Sequence, residues 1–419
     1  MTDYSELKLK IDSLAIFRDV MKDPALSALG KLLEDKSVEA YAAFLAELYP
    51  HGADLSGHIR GLVLNDENFY VRAVAAGDDI DPEIVAAVKN ELNILEAVRE
   101  SSSDSIKKLI IRSTPTDPTE SGEAVEKTVA GLTGWHTESV HLLKEFTAKL
   151  AAIDKTGYGM FARYTFFRVS DEGSILPVAH PDFIPLEQLY EYERERQLII
   201  RNTEALVSGS RPNNVLLYGD MGTGKSTTIK SVAAAYADQG LRIIEIKKNQ
   251  LMQIPDIMEE LAANPLKFIL FIDDLSFSRG DDNFTALKAA LEGSVSGRGS
   301  NTVIYATSNR RHLVRESAAD RYGGIGVDDD MHVNDTLQET ASLSARFGLT
   351  VTFGKPGKEE YLSIVRSLAA EAGIDVDGDS DNSITEALLF QKAEAFAIRR
   401  NGRSPRTAAQ FIELLKIGL

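Results

Sequence analysis

The sequence contains no cysteine, and its acidic side chains outnumber its basic ones. Without cysteine among 419 residues, the chain cannot form disulfides, thiolate zinc sites or a thiol nucleophile. The 63 acidic and 46 basic residues give a formal net charge of −17. A general nucleic-acid coat needs clustered Lys and Arg, so this charge argues against one. Nucleic acid stays possible as a partner, because a local basic patch is compatible with an acidic chain.

Long apolar stretches are also missing. No run approaches the roughly 18 apolar residues that indicate a membrane span. The N-terminus, MTDYSELKLKIDSLAIF, is acidic and amphipathic, and it lacks the regions of a signal peptide. We therefore expect a cytoplasmic protein with no membrane partner. Its 43% hydrophobic and 26% charged residues are ordinary for a globular protein, and its length predicts two or three domains.

The clearest chemical motif is a phosphate-binding loop between a predicted strand and a predicted helix. The apolar run Val215–Tyr218 predicts a buried strand, and an Ala-rich helical pattern follows the loop. Glycines allow backbone N–H groups to close on phosphates, the lysine adds a positive charge, and the serine offers a hydroxyl to Mg²⁺. The pattern G-x-x-x-x-G-K-[ST] is complete, and with the first helical residue it comprises Gly219, Asp220, Met221, Gly222, Thr223, Gly224, Lys225, Ser226 and Thr227. The motif predicts binding of a nucleoside triphosphate.

Polar residues follow two later apolar runs. Phe268–Ile272 ends in Asp273 and Asp274, and a buried strand would deliver both carboxylates beside the phosphates. We expect Asp273 to hold Mg²⁺ and Asp274 to polarise the attacking water. The run Val303–Ala306 leads to Asn309, whose amide can hydrogen-bond the γ-phosphate or that water.

Strands and helices alternate after the loop, which predicts a parallel α/β sheet. Four further strands are expected at 241–246, 267–272, 302–306 and 349–353, followed by helices to the end of the chain. Upstream, Ser37 precedes a helical pattern as a capping residue, and Asp81-Pro82-Glu83 starts another helix with Pro at its first position. The predicted divisions are a helical region at 1–100, a linker or mobile segment at 101–135, a connecting helix and strand at 136–180 (helix 137–151, strand 159–169), an α/β nucleotide-binding domain at 181–355 and a helical lid at 356–419.

Together these features resemble the AAA+ ATPases, a family with a five-stranded core and a helical lid. The motifs occur in the family's order: Lys225 and Ser226 in Walker A, Asp273 and Asp274 in Walker B, Asn309 at sensor 1, Arg346 at the arginine finger in Ser344–Phe347, and Arg406 at sensor 2. The motifs are most similar to those of bacterial replication initiators, helicase loaders and transposition helper ATPases. An uncharacterised bacterial family of AAA+-like ATP-binding proteins has a hallmark region that resembles Ile184–Leu186 through Asn309–Arg311.

The resemblance implies ATP and Mg²⁺ as cofactors and hydrolysis at the interface of a homo-oligomeric ring or spiral. It also implies that the stretch from Ile184 to Tyr192 contacts the adenine, with Ile184 as the named contact, and that Arg346 reaches a neighbouring subunit. The partner would be an unknown protein or protein–nucleic-acid complex that the ATPase assembles or remodels.

One departure from the family leaves an alternative open. Most AAA+ members have Glu where this chain has Asp274, which is one methylene shorter, and a misplacement of about 1 Å can cost on the order of 10²-fold in rate. The alternative is therefore a slow-hydrolysing, ATP-gated loader or scaffold. A GTPase is less consistent with the sequence, because Ser308–Arg311 stands where a GTPase carries N-K-x-D. A small-molecule kinase is also less consistent, because it would not be expected to carry the sensor and arginine-finger residues.

Overall fold

The chain forms a helical unit, Met1–Arg163, and an α/β unit, Tyr164–Leu419. This computed structural model describes residues 4–113, 121–138, 141–277, 282–292, 301–309, 346–376, 384–400 and 402–418. Ser344 and Ala345 of the predicted finger box lie outside the described residues.

Apolar side chains at helical spacing, with polar caps at the helix starts, build the first unit. The Ser37 hydroxyl accepts the Ala40 N–H at 3.2 Å, and the Asp81 carboxylate accepts the Glu83 N–H at 2.8 Å. The predicted Ser37 cap and the Asp81 carboxylate thus satisfy backbone donors that a helix start leaves without partners. The helices are α1 (Tyr4–Asp12), α2 (Pro24–Asp35), α3 (Val38–Leu48), α4 (Leu55–Leu64), α5 (Phe69–Ala76), α6 (Pro82–Arg99), α7 (Ser103–Ser113), α8 (Ser121–Gly131), α9 (Leu142–Ala151), α10 (Ile153–Thr156) and α11 (Gly159–Arg163).

The linker predicted at 101–135 is wrong, because most of this stretch folds into the first unit. Helix α7 buries Ile106 and Ile110 completely, α8 buries Val129, and Trp135 is 8% exposed. These side chains join the hydrophobic core of the first unit. Two isoleucines four residues apart lie on one apolar face of a helix. The linker was predicted because the stretch is rich in Ser, Thr, Pro, Asp and Glu, and this composition hides so short an apolar face.

The predicted connecting segment 136–180 divides between the two units. Its expected helix is α9, which begins at Leu142 rather than at 137. The first part of its expected strand is α11, and only Phe166–Val169 forms a strand. This strand pairs with the sheet of the second unit, so the sheet begins before the predicted boundary at 181.

Within the described residues, the second unit is organised around a seven-stranded sheet in which one pair of strands, at an edge, is antiparallel. The strands are β1 (Phe166–Val169), β2 (Ile175–Pro177), β3 (Val215–Gly219), β4 (Leu241–Ile246), β5 (Lys267–Ile272), β6 (Thr302–Ser308) and β7 (Leu349–Phe353). Their order is β2-β1-β4-β5-β6-β3-β7, with β1 and β2 antiparallel and the other pairs parallel. The five predicted strands form the parallel core of the sheet, as expected, and β1 and β2 extend it at one edge.

This strand order brings the polar residues together. Strand β3 lies between β6 and β7, and β6 also pairs with β5. Tyr218 stands opposite Ser308, and Ile272 stands opposite Ala306. The carboxyl ends of β3, β5 and β6 therefore meet at one edge of the sheet, where ligands bind in open parallel sheets.

Helices cover the sheet and form the predicted C-terminal lid. They are α12 (Glu193–Val207), α13 (Lys225–Ala235), α14 (Ile254–Ala262), α15 (Asp282–Glu292) and the lid helices α16 (Lys358–Glu371), α17 (Glu386–Arg399) and α18 (Pro405–Lys416). The lid has its own core, which includes Tyr361, Leu389 and Phe411. In the described part of the chain, no helix is both long and apolar enough to cross a bilayer.

A buried amide fixes the chain where it enters β3. Asn202 on α12 donates from Nδ2 to the Asn213 carbonyl at 2.8 Å, and its Oδ1 accepts the Asn213 N–H at 2.9 Å. The same Nδ2 lies 3.0 Å from the Tyr305 hydroxyl of β6, which also contacts Thr203 at 2.8 Å. One polar network thus ties α12, β3 and β6 together at the amino end of β3, the strand that leads to the phosphate loop.

Candidate nucleotide-binding site

The phosphate loop joins β3 to α13, as the sequence predicts, and its glycines have backbone angles that L-residues rarely adopt. Gly219, Gly222 and Gly224 have φ values of +144°, +81° and +90°. A Cβ on Gly219 would lie 1.9 Å from the Phe353 carbonyl oxygen on β7. The first glycine is therefore required by the close approach of β7 as well as by its φ angle.

Lys225 begins α13 and is 5% exposed. Its Nζ donates to the Gly219 and Asp220 carbonyl oxygens at 3.0 and 2.7 Å. Burial lowers the pKa of Lys225, and the Asp220, Asp273 and Asp274 carboxylates oppose that shift. The ammonium group thus sits within the loop, with a helix N-terminus beside it, in an arrangement that favours a bound anion.

Asp273 follows β5 and faces the loop. The Ser226 hydroxyl donates to Asp273 Oδ1 at 2.6 Å, and the Thr307 hydroxyl lies 2.5 Å from the same oxygen. The structure thus brings together the two residues predicted to hold the metal. Thr307, which is 2% exposed, was missed because a hydroxyl inside an apolar strand gives no sequence signal of its partner.

The oxygen donors of Ser226 and Asp273 fit Mg²⁺, a hard cation that takes oxygen ligands. Among the described residues, no group of three or more His, Cys, Asp or Glu side chains is placed to hold a metal ion. Protein sites for Mg²⁺ beside nucleotides commonly use one or two protein oxygens, with phosphates and water completing the octahedron. The pair suits that kind of site and does not form an all-protein metal cage.

Asp274 and Asn309 are hydrogen-bonded to each other. Asn309 Nδ2 donates to Asp274 Oδ1 at 2.7 Å, so the predicted water-polarising carboxylate and the predicted sensor amide lie side by side. Asp274 has a φ angle of +50°, which is uncommon for a residue other than glycine. Its N–H points to Asp273 Oδ1 at 3.1 Å and to Thr307 Oγ1 at 3.0 Å.

The lid brings Arg406 to the phosphate loop. Ser404 caps α18 by accepting the Thr407 N–H at 3.1 Å. The Arg406 N–H donates to the Gly222 carbonyl at 3.2 Å, and a Cβ on Gly222 would lie 3.2 Å from Arg406 Cβ. The predicted sensor 2 arginine therefore sits at the start of a lid helix that touches the loop.

These groups line one cleft of about 390 Å³. Its other wall is apolar and aromatic and includes Ile184, Tyr190 and Tyr192 with Ile364 and Leu368 of the lid helix α16. The Ile184 carbonyl oxygen lies 2.5 Å from the hydroxyl of Ser231 on α13. The structure thus places Ile184, the predicted adenine contact, in the cleft that contains the phosphate loop.

Tyr192, the last residue of the stretch predicted to contact the adenine, also lines the cleft. Its hydroxyl donates to the Gly354 carbonyl at 2.7 Å, and its ring stacks on Phe353 at 5.2 Å. Glu191 and Tyr192 both have positive φ angles, +58° and +60°. The chain therefore turns sharply into α12, and only the tertiary contacts with the end of β7 show where this turn lies.

Arg346 is the one predicted site residue that lies away from this cleft. It precedes β7 and lines a separate cavity together with Asn213, Asn214 and Thr302. These neighbours stand at the amino ends of β3 and β6, whereas the phosphate loop follows the carboxyl end of β3. The structure therefore does not bring Arg346 to the phosphate loop of its own chain.

Solved structures similar to this chain include two of Thermotoga maritima RuvB. A point mutant of that protein is 16% identical, with a TM-score of 0.37, over 56% of this chain and 64% of the other. A second structure, described as the RuvB Holliday junction branch migration motor, is 16% identical, with a TM-score of 0.31, over 56% of this chain and 72% of the other. The chain thus spans less than two thirds of the first of these structures. No curated protein sequence matches it.

A protein-family model matches residues 162–418, which include β1, the whole core sheet, the cleft and the lid. The family is described as a protein of unknown function, DUF815. This match confirms the expectation of an uncharacterised family. By a match over more than half of its length, the chain belongs to the DUF815 family.

Proposed function

We propose that this protein is an ATPase of the AAA+ type that binds and hydrolyses Mg²⁺-ATP at a subunit interface. The observation that supports the proposal best is the convergence of four groups in one cleft. They are the phosphate loop, the Ser226–Asp273 pair, the Asp274–Asn309 pair and the lid residue Arg406. The groups come from separate segments of the sequence, and a surface turn rich in glycine would not gather them.

In this proposal the loop and the lid together bind the triphosphate. The backbone N–H groups from Gly222 to Ser226 would donate to the phosphates, and the Lys225 ammonium would supply a positive charge from within the loop. Arg406 approaches from the lid, so nucleotide binding would hold lid and sheet together. Ile184, Tyr190 and Tyr192 provide the apolar wall against which a base would pack.

Ser226 and Asp273 would hold Mg²⁺, which neutralises charge on the phosphates during transfer. Asp274 would accept a hydrogen bond from the attacking water and orient its oxygen toward the γ-phosphorus. The bond that forms is between water oxygen and phosphorus, and the bond that breaks joins phosphorus to the bridging oxygen, with ADP leaving. Asn309 would keep the Asp274 carboxylate in place through the 2.7 Å hydrogen bond.

Arg346 would complete the site of a neighbouring copy of the chain. Its position away from its own phosphate loop is consistent with a residue that acts on another subunit. A guanidinium delivered to the transferring phosphoryl group is worth about 10³–10⁵ in rate for arginine fingers generally. The assembly would be a ring or spiral of identical subunits.

The work driven by ATP would be the assembly or remodelling of a protein or protein–nucleic-acid partner. The first unit, Met1–Arg163, is a separate helical body without a chemical motif, which suits a partner-binding region. The net charge of −17 makes a protein partner the first choice.

Nucleotide binding is tested by replacing Lys225 and, as a control, a second lysine of the same helix. Lys225→Ala should lose most of its ATP affinity, because it removes a charge-assisted contact from a largely buried site. Lys230→Ala should keep wild-type affinity, since Lys230 pairs with Glu245 at 3.5 Å and does not line the cleft. Titration calorimetry measures both, with a circular dichroism melt to verify folding. Wild-type affinity of Lys225→Ala for ATP would contradict the assignment.

Slow, switch-like use of ATP is a second candidate function that one observation favours. Asp274 is one methylene shorter than the glutamate usual in AAA+ ATPases. The Asn309 amide already donates to one of its carboxylate oxygens at 2.7 Å. An ATP-gated loader or scaffold would assemble with ATP before any turnover. Light scattering and phosphate release, followed in the same sample, separate the two functions. The scaffold would be favoured if light scattering shows complete assembly in ATP while less than one phosphate is released per assembly event.

A further inference from the structure

Thr307 occupies a position between the two acids of the site. It lies on β6, two residues before Asn309, and is 2% exposed. Its hydroxyl oxygen is 2.5 Å from Asp273 Oδ1 and 3.0 Å from the Asp274 backbone nitrogen. One side-chain oxygen therefore contacts the predicted metal ligand and the backbone of the predicted water-polarising residue.

The chemistry of the partners fixes the direction of both hydrogen bonds. An ionised carboxylate only accepts, so the Thr307 proton must be donated to Asp273 Oδ1. A backbone N–H only donates, so the hydroxyl oxygen must accept from Asp274. The bond to Asp273 has the short length of a charge-assisted O–H···O⁻ hydrogen bond. The two hydrogen bonds therefore run in the same direction. The Asp274 N–H donates to Thr307 Oγ1, and the Thr307 hydroxyl donates to Asp273 Oδ1.

The same strand end holds Asp274 at two points. Thr307 accepts its backbone N–H, and Asn309 donates to its carboxylate at 2.7 Å. This matters because Asp274 has a φ angle of +50°, in a region that residues with a Cβ seldom adopt. A short aspartate side chain is aimed mainly by its backbone, so the contacts that hold this φ angle also aim the carboxylate.

We propose that Thr307 is a positioning residue that sets Asp273 and Asp274 relative to each other, so that metal binding and water activation share one support. The proposal rests on the proposed ATPase function of the same cleft. Ser226 also donates to Asp273 Oδ1, at 2.6 Å, and would have its oxygen next to the metal. Thr307 is the donor that holds the carboxylate from the sheet side and supports Asp274 at the same time.

Thr307→Val tests this role, because valine keeps the branched shape and removes the hydroxyl. We expect kcat to fall by about 10- to 100-fold, the scale of a misplacement near 1 Å, while KM changes little. ATP affinity without magnesium should stay at the wild-type value, and the Mg²⁺ concentration that gives half-maximal ATP binding should rise several-fold. Calorimetric titrations of ATP at a series of Mg²⁺ concentrations measure this second effect without turnover.

Two further variants separate positioning from general packing. Thr307→Ser restores the hydroxyl and should recover most of kcat and the magnesium dependence. Thr350→Val makes the same change on strand β7, at an exposed position that lines neither the cleft nor the Arg346 cavity, and should leave both values unchanged. If Thr307→Val does not fold, Thr307→Ala compared with Thr307→Ser carries the same test.

The outcomes distinguish this inference from the function on which it rests. A wild-type protein that binds no ATP would overturn the proposed function itself, and this inference with it. Wild-type binding without measurable turnover leaves the magnesium dependence as the deciding readout. An active or ATP-binding wild type whose Thr307→Val variant has unchanged kcat and unchanged magnesium dependence would overturn the positioning role alone.

Discussion

Gly219→Ala should destabilise the second unit far more than Gly224→Ala, although both glycines belong to the same loop. An added Cβ at Gly219 would lie 1.9, 2.7 and 3.0 Å from the oxygen, carbon and nitrogen of Phe353. All three are backbone atoms of β7, so no side-chain rotation can relieve the clash. At Gly224 no atom lies within 4 Å of the added Cβ, and only the φ angle of +90° opposes alanine.

The structure allows the two costs to be separated. A left-handed backbone costs an L-residue about 1–2 kcal/mol, which is the whole expected effect of Gly224→Ala. Gly219→Ala adds an overpacking cost of about 1–3 kcal/mol. It also strains the hydrogen bond from the Asp220 N–H to the Phe353 carbonyl, at 3.2 Å, worth about 0.5–1.5 kcal/mol. The expected loss is therefore about 2.5–6.5 kcal/mol for Gly219→Ala.

Thermal unfolding measures this difference, and the single tryptophan provides an internal control. For a unit of this size, 1 kcal/mol shifts Tm by roughly 2–4 °C, so the Tm loss of Gly219→Ala should be at least about twice that of Gly224→Ala. Circular dichroism follows the whole chain, whereas Trp135, the only tryptophan, reports the first unit. The shift should appear by circular dichroism and be absent from Trp135 fluorescence. Equal Tm losses in the two variants would refute the close approach of β7 to the loop.

Three further predictions concern catalysis and the support of the loop. Asp274→Asn should retain ATP binding, since Asp273 still serves the metal, and should slow phosphate release by orders of magnitude; unchanged turnover would remove Asp274 from the mechanism. Mixed Arg346→Ala and Lys225→Ala subunits should recover partial ATPase activity at concentrations where light scattering detects association. The first variant supplies an intact phosphate loop and the second an intact arginine finger. Full activity of Arg346→Ala alone would leave no case for a shared site. Tyr305→Phe should lower the free energy of unfolding by about 1–3 kcal/mol, the cost of a buried polar group left without its partner. Denaturant titration measures this change. A change within error would show that Asn202 and Asn213 hold strand β3 without the tyrosine hydroxyl.

The motifs and the core strands were predictable because their information is local. Gly219 to Ser226 is contiguous, and the strand and helix beside it follow from apolar periodicity over a few residues. Asp273 and Asn309 were predictable for a related reason, since each follows a buried parallel strand whose carboxyl end must reach the same edge of the sheet. The sequence therefore predicted most of the residues that the structure gathers in the cleft.

Tertiary structure alone decided which of these side chains meet and which segments join the core. Ile106 and Ile110 are too few to distinguish a linker from a helix until other helices cover them, because burial stabilises a helix only when a partner surface exists. The support of Asp274 by Thr307, the turn at Tyr192 and the separation of Arg346 from its own loop all depend on contacts between residues distant in sequence. Such contacts are set by strand order and packing, and no local pattern in the sequence encodes them.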